Sequence, residues 1–82
     1  MAARLVYALT GQGLWDVHRA GCADVARAVA RRHFQEPPNE FEADSEAQAR
    51  TIVCDEECQE LGYDPDTDVR LFPCAVAALA GR

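Results

Sequence analysis

The feature that most constrains the fold is a pair of short β-prone runs on either side of a glycine turn. The first run, Leu5–Thr10, is rich in β-branched and aromatic residues, and the second, Leu14–Arg19, follows directly after Gly11-Gln12-Gly13. Two such runs joined by a short glycine-containing loop predict a β-hairpin, because glycine readily adopts the backbone angles that tight turns require. We therefore expect the chain to begin with two antiparallel strands.

Two amphipathic helices are expected after the hairpin. The first spans about Cys22–His33, ends before Pro37-Pro38, and has an apolar stripe formed by Cys22, Val25, Ala26, Val29 and His33. The second begins at about Glu46, because Ser45-Glu46-Ala47-Gln48 is a capping-box signature. Its stripe comprises Ala47, Thr51, Cys54, Cys58 and Leu61.

Two more strands complete the predicted order. Asn39–Ala43 alternates polar or acidic residues with apolar ones, Val69–Phe72 is β-prone, and the apolar tail 74–80 is expected to form a short helical turn against the sheet. The order β-β-α-β-α-β predicts a single α+β domain over 1–82, with two layers and both helices on one face of a mainly antiparallel sheet. Alternation assigns the core face to Trp15, Val17, Phe41, Ala43, Val69 and Leu71. It assigns the charged face to Asp16, His18, Glu40, Glu42 and Arg70.

The charge of the chain is unevenly distributed. Its net charge is −6, yet residues 1–34 carry +3 and residues 35–82 carry −9. A pI near 4.7 argues against general binding to the phosphate backbone of nucleic acids. The acidic half is interpreted either as a solvated face that aids solubility or as a surface that docks a basic protein partner. In the second case the docking residues are Glu40, Glu42 and Asp44.

The apolar runs of the sequence are short. None approaches the ~18 residues of a membrane span, and the start of the chain does not resemble a secretory signal, so a cytoplasmic, reducing environment is expected. With 82 residues the chain also lacks room for a large catalytic cleft with a lid and a cofactor domain. No enzymatic activity is expected.

The reactive side chains are concentrated in a small set of cysteines and histidines. Zinc could be held by Cys22, Cys54 and Cys58 together with either His18 or Cys74. Two alternatives remain open: cysteines that simply pack in the core, and a disulfide that joins Cys22 or Cys74 to a cysteine of the second helix. The alternation of the second strand counts against His18 as a ligand, because it turns that side chain away from the core face.

A nucleophilic thiol is a further interpretation of the same region. Cys22 is expected at a helix N-terminus with His18 one turn earlier, and both features lower the pKa of a thiol. Asp16 lies on the same strand face as His18 and could orient its ring. No oxyanion loop or substrate cleft accompanies these residues in the sequence, which weighs against catalysis.

The segment Trp15–Asp24, together with Phe72-Pro73-Cys74, resembles a group of short uncharacterised proteins from actinobacteria and their bacteriophages. The matching positions are His18, Cys22 and Cys74, and this chain ends its motif with one cysteine where the group has an adjacent pair. The resemblance implies a phage or prophage accessory protein that acts by binding a host factor.

Two functional hypotheses follow from the sequence. The first is a small acidic module that binds a protein partner and needs no cofactor. The second is a structural zinc or redox thiol protein that uses His18, Cys22, Cys54, Cys58 and Cys74. The exposed strand edges expected in so small a sheet would also permit a homodimer.

Overall fold

The chain begins with the hairpin that its glycine turn predicts. A computed structural model describes residues 2–57, 64 and 67–81. Strand β1 (Ala3–Leu9) pairs antiparallel with β2 (Trp15–Arg19). Gly13 takes a φ of +83° in the connecting turn, a value that residues with a Cβ rarely adopt. The Thr10 hydroxyl accepts hydrogen bonds from backbone N–H groups in the same turn, so the hairpin is fixed by local chemistry.

In the described part of the chain, four strands form one mixed sheet in the order β3-β1-β2-β4. Strand β3 (Asn39–Ala43) pairs antiparallel with β1, and β4 (Val69–Leu71) pairs parallel with β2. The sheet is therefore mainly antiparallel with one parallel pair, and the α+β class is confirmed. Strands β3 and β4 are its edges.

Three helices accompany this sheet over the described residues: α1 (Ala23–Ala30), α2 (Glu46–Glu57) and α3 (Pro73–Ala80). The apolar tail thus forms a full helix, with proline at its first position where the missing N–H is tolerated. The element order is β-β-α-β-α-β-α. Over the same residues, the structure has no helix with both the length and the apolar character needed to cross a bilayer.

The core lies on the face of the sheet that alternation predicts. Trp15, Val17, Ala43 and Val69 are buried there, and Phe41 and Leu71 pack against them while partly exposed. Helices α2 and α3 cover this face with apolar side chains, chiefly Ala49, Val53, Ala75 and Leu79. Removing these groups from water supplies the main driving force for folding, and each fully buried aliphatic side chain contributes about 1.5–3 kcal/mol.

The predicted inner face of α2 is correct at Cys54, which packs against the core, but wrong at Ala47 and Thr51, which are exposed. Among the side chains of this helix that the structure describes, Ala49 and Val53 are the fully buried ones. The helix begins at Glu46 as predicted, and the Gln48 N–H donates to the Ser45 Oγ at its N-terminus. Burying an aliphatic side chain such as that of Val53 stabilises the domain more than burying a threonine, which explains the rotation.

The predicted packing of α1 is also wrong. None of its residues Ala23–Ala30 is buried, and Val29 is 48% exposed. The helix ends before Arg32, which adopts a left-handed φ of 56°, and the His33 N–H donates to the Ala28 carbonyl oxygen. This is a Schellman ending with arginine in the position that glycine usually occupies.

The location of α1 gives the physical reason for this exposure. The helix contributes Asp24, Arg27, Ala28 and Arg31 to a pocket that is also lined by Asp16 and His18 of the charged sheet face. The helix therefore meets a face that carries charged side chains beside apolar Val6 and Ala8, and it leaves Val29 exposed. The helices flank both faces of the sheet, rather than one face as the sequence predicted.

Candidate metal centre

Three chain segments bring a histidine and two cysteines together at one end of the sheet, where β2 and β4 terminate. His18 lies near the carboxyl end of β2, Cys22 directly precedes α1, and Cys74 lies in the first turn of α3, just after β4. Because β2 and β4 are parallel neighbours, their carboxyl ends lie side by side at the same end of the sheet. One ligand atom from each residue lies within 4.8 Å of the other two.

His18 and Cys74 are in direct contact within this group. The His18 Nδ1 lies 3.5 Å from the Cys74 Sγ. The same sulfur accepts a hydrogen bond of 3.3 Å from the backbone N–H of Arg19. The His18 ring stacks on Phe72, with 4.1 Å between ring centroids and an angle of 22° between ring planes. These contacts hold the imidazole in one orientation.

A sharp turn places Cys22 beside this pair. Gly21 adopts a φ of +81°, which favours glycine, and the Cys22 N–H donates to the Arg19 carbonyl oxygen at 3.1 Å. Cys22 itself has extended backbone angles and is half-buried. The Gly21-Cys22 step that stands out in the sequence therefore reverses the chain at the end of β2.

The surroundings of His18 and Cys74 favour the neutral forms of both side chains. Burial lowers the pKa of His18, although the carboxylate of Asp16 acts in the opposite direction. Burial raises the pKa of the Cys74 thiol, although the Arg19 N–H acts in the opposite direction. A resting thiolate–imidazolium pair, which a nucleophilic cysteine requires, is thus disfavoured here. Neutral imidazole is the form that coordinates metal ions.

The structure assembles three of the five predicted metal ligands. His18, Cys22 and Cys74 form the group, whereas Cys54 packs against the apolar core. Cys58 lies outside the described residues. The strand alternation turns His18 away from the core, as expected, and Cys22 and Cys74 both approach it on that side.

The predicted disulfide to the second helix is not formed by the described cysteines. Cys22, Cys54 and Cys74 are not joined to one another. Cys54 instead contacts the core formed by the inner sheet face, and Cys22 and Cys74 lie near His18 of the other face. The disulfide expectation therefore fails for Cys54, and its other partner, Cys58, lies outside the described residues.

Asp16 does not orient His18 as a catalytic triad would require. Its side chain is 1% exposed, and its Oδ1 accepts hydrogen bonds from the Arg70 Nε at 2.9 Å and Nη2 at 2.7 Å. Its Oδ2 faces the His33 Nε2 at 3.6 Å. Asp16 and Arg70, both assigned to the charged face, thus form a cross-strand ion pair in which the carboxylate is buried and the guanidinium side chain is partly exposed.

A pocket of about 410 Å³ lies beside the His/Cys group. Besides the residues of α1, it is lined by Asp16, His18, His33, Phe34 and Phe72. Sequence reasoning missed this pocket, because it depends on the turn at Arg32 that directs His33 toward Asp16. Arginine at position 32 does not indicate a left-handed backbone in the sequence, whereas glycine or asparagine at that position would have done so.

The acidic residues proposed for partner docking lie on a different part of the sheet. Glu40, Glu42 and Asp44 are all exposed, at or just after the edge strand β3. The Glu40 Oε2 pairs with the Arg4 Nη2 at 3.0 Å, and both side chains are more than half exposed. Strand β1 separates these acids from β2, so the acidic edge and the His/Cys group are distinct surfaces.

The chain matches no protein-family model, no curated protein and no solved structure.

Proposed function

We propose that this chain is a small metal-binding protein that holds a zinc ion through His18, Cys22 and Cys74. The observation that carries the proposal is the convergence of their three ligand atoms within 4.8 Å of one another. Around a tetrahedral zinc ion, with bonds of about 2.0–2.3 Å, neighbouring ligand atoms lie roughly 3.5–3.8 Å apart. Each ligand atom therefore needs to move by only about 1 Å to bind the ion.

The chemistry of the ligands selects the metal. Two thiolates and one imidazole form a soft to borderline donor set, which suits zinc and excludes magnesium and calcium, since those ions prefer oxygen ligands. The Arg19 N–H that donates to the Cys74 Sγ would stabilise the negative charge of the bound thiolate. The lowered pKa of His18 keeps its ring in the coordinating form at neutral pH.

The ion would connect parts of the fold that are otherwise weakly joined. Within the described residues the ligand group has three members, so a tetrahedral ion would keep one position for water or an external ligand. Helix α1 has no buried residue, whereas α3 is anchored by Ala75 and Leu79. Zinc bound by Cys22 and Cys74 would tie the start of α1 to the start of α3.

A zinc titration tests the proposal. The reduced protein competes with a chromophoric chelator, and we expect one zinc ion per chain. Cys22→Ser and Cys74→Ser should each weaken zinc binding by at least about 100-fold, since each removes a thiolate ligand. The matched control is Cys54→Ser, which should bind zinc as the unaltered protein does, because Cys54 packs against the core. Equal losses in all three variants, or no binding by the unaltered protein, would contradict the proposal.

A second candidate function uses the acidic edge of the sheet. We propose that Glu40, Glu42 and Asp44 dock a basic protein partner. The supporting observation is that β3 is an edge strand whose glutamates are exposed, so a partner has access to both the backbone edge and the charges. A second copy of this chain fits less well there, because like charges would face one another.

Charge reversal tests the acidic docking surface. The double variant Glu40→Arg/Glu42→Arg should abolish pull-down of a partner while its circular dichroism spectrum stays unchanged. The matched control Glu36→Arg/Asp55→Arg changes the net charge equally at exposed positions outside β3 and should retain the partner. Retention by a folded Glu40→Arg/Glu42→Arg variant would rule out this surface.

A further inference from the structure

The two sulfur atoms of the His/Cys group are close enough to react with each other. The Cys22 Sγ and the Cys74 Sγ lie within 4.8 Å. A disulfide bond is about 2.05 Å long, so the sulfurs would have to approach by at most about 2.8 Å. Rotation about the two side-chain χ1 angles supplies part of that movement, and a small shift of the backbone supplies the rest.

Helix α1 is the element that can make this shift. It buries none of its residues, and it follows a turn centred on Gly21. Helix α3, in contrast, is fixed by Ala75 and Leu79, which are fully or nearly fully buried in the core. Moving Cys22 toward Cys74 therefore disturbs few apolar contacts. The third described cysteine, Cys54, packs against the core and does not belong to this group.

We infer that Cys22 and Cys74 form a reversible disulfide that switches off zinc binding at this site. The disulfide follows from the position of the two sulfurs, while its effect on zinc rests on the proposed function above. Once the sulfurs are bonded to each other, neither is a thiolate. His18 alone then remains from the ligand group, and a single imidazole does not hold zinc tightly.

The oxidation balances with a small-molecule disulfide such as oxidised glutathione as the oxidant. Cys22 gives up its thiol proton to solvent, and its thiolate attacks one sulfur of the oxidant, which forms a mixed disulfide on Cys22. The first glutathione leaves as a thiolate and takes up a proton from solvent. The Cys74 thiol then transfers its proton to a departing thiolate, attacks the Cys22 sulfur and expels the second glutathione. Two cysteine thiols are oxidised to one disulfide, and one glutathione disulfide is reduced to two thiols.

The two cysteines can exchange roles in this sequence, because both are half-buried and their sulfurs lie within 4.8 Å of each other. If Cys74 carries the mixed disulfide first, Cys22 resolves it and the same products form.

The experiment uses the full chain, reduced and then treated with increasing ratios of oxidised to reduced glutathione. Intact mass measures the loss of about two hydrogens, and peptide mapping under non-reducing conditions identifies the linked cysteines. We expect a Cys22–Cys74 crosslink in the unaltered protein and in Cys54→Ser. Cys22→Ser and Cys74→Ser should instead retain a glutathione adduct on the cysteine that remains.

A second readout separates this inference from the zinc proposal. Zinc released from the loaded protein is followed with a chromophoric chelator, and we expect one ion released per crosslink formed. A crosslink in a protein that never binds zinc would contradict the zinc proposal and the switch, but would leave the disulfide itself in place. A crosslink to Cys54 or Cys58, or stable adducts without a crosslink in the unaltered protein, would overturn the disulfide.

Discussion

Asp16 and Arg70 are register partners on the parallel strands β2 and β4, and their side chains pair on the face opposite the core. The carboxylate is 1% exposed and the guanidinium side chain is 41% exposed, so the acid is buried while the base reaches solvent. The pair ties the short edge strand β4 to the sheet directly below the His/Cys group. Its loss should destabilise both the strand and the site.

Removal of the arginine tests this relationship. We expect Arg70→Gln to lower the free energy of unfolding by about 3 kcal/mol, because it leaves a buried carboxylate without its main partner. The matched control is Arg4→Gln, which breaks the exposed pair with Glu40 and should cost less than about 1 kcal/mol. Urea denaturation monitored by Trp15 fluorescence measures both. Similar small losses in the two variants would show that the Asp16 carboxylate is adequately solvated or paired without Arg70.

The pKa of His18 predicts how the stability of the metal-free protein depends on pH. Burial lowers this pKa in the folded chain below the ordinary value of 6.5, so the unfolded chain binds a proton more readily. The contribution of neutral His18 to the free energy of unfolding is therefore fully present above pH 6.5 and is lost as the pH falls below that value.

The matched variants are His18→Gln and His33→Gln, both measured by urea denaturation in the presence of a chelator. We expect the first to flatten the decrease in stability between neutral and mildly acidic pH. We expect the second to retain most of that decrease, since it leaves His18 and the burial of its ring in place. An unchanged pH dependence in His18→Gln would assign the decrease to other groups.

Alanine substitution of one valine in α2 and one in α1 compares how tightly the two helices pack. Val53 of α2 is fully buried, so Val53→Ala should lower the free energy of unfolding by about 2 kcal/mol through lost apolar burial and the cavity that remains. Val29 of α1 is 48% exposed, so the same change there should cost less than about 0.5 kcal/mol. Thermal or urea unfolding distinguishes them. Equal losses would show that α1 packs tightly in solution.

The sequence was informative wherever a local signal determines structure. The glycine turn, the capping box at Ser45 and the alternation around Trp15 each act over a few residues, and each predicted its element or face correctly. The strand Asn39–Ala43 was predicted with its observed bounds for the same reason.

Long-range geometry explains what the sequence did not reveal. An amphipathic stripe shows that a helix has an apolar side, but not which sheet face it meets, and α1 lies beside the charged face. The sequence offered His18, Cys22 and Cys74 among five candidate ligands, but the grouping of these three depends on parallel pairing of β2 with β4, which brings Cys74 to His18 from 56 residues away. Neither spacing nor composition encodes that pairing directly.

X-ray absorption at the zinc edge tests the central claim most directly, because it measures the atoms bound to the ion in the reduced protein. We predict two sulfur ligands at about 2.3 Å and two lighter ligands, one an imidazole nitrogen, at about 2.0–2.1 Å. In Cys74→Ser the sulfur count should fall from two to one, and in Cys54→Ser it should stay at two. A shell of three or four sulfurs, or one without sulfur, would contradict a site built from His18, Cys22 and Cys74.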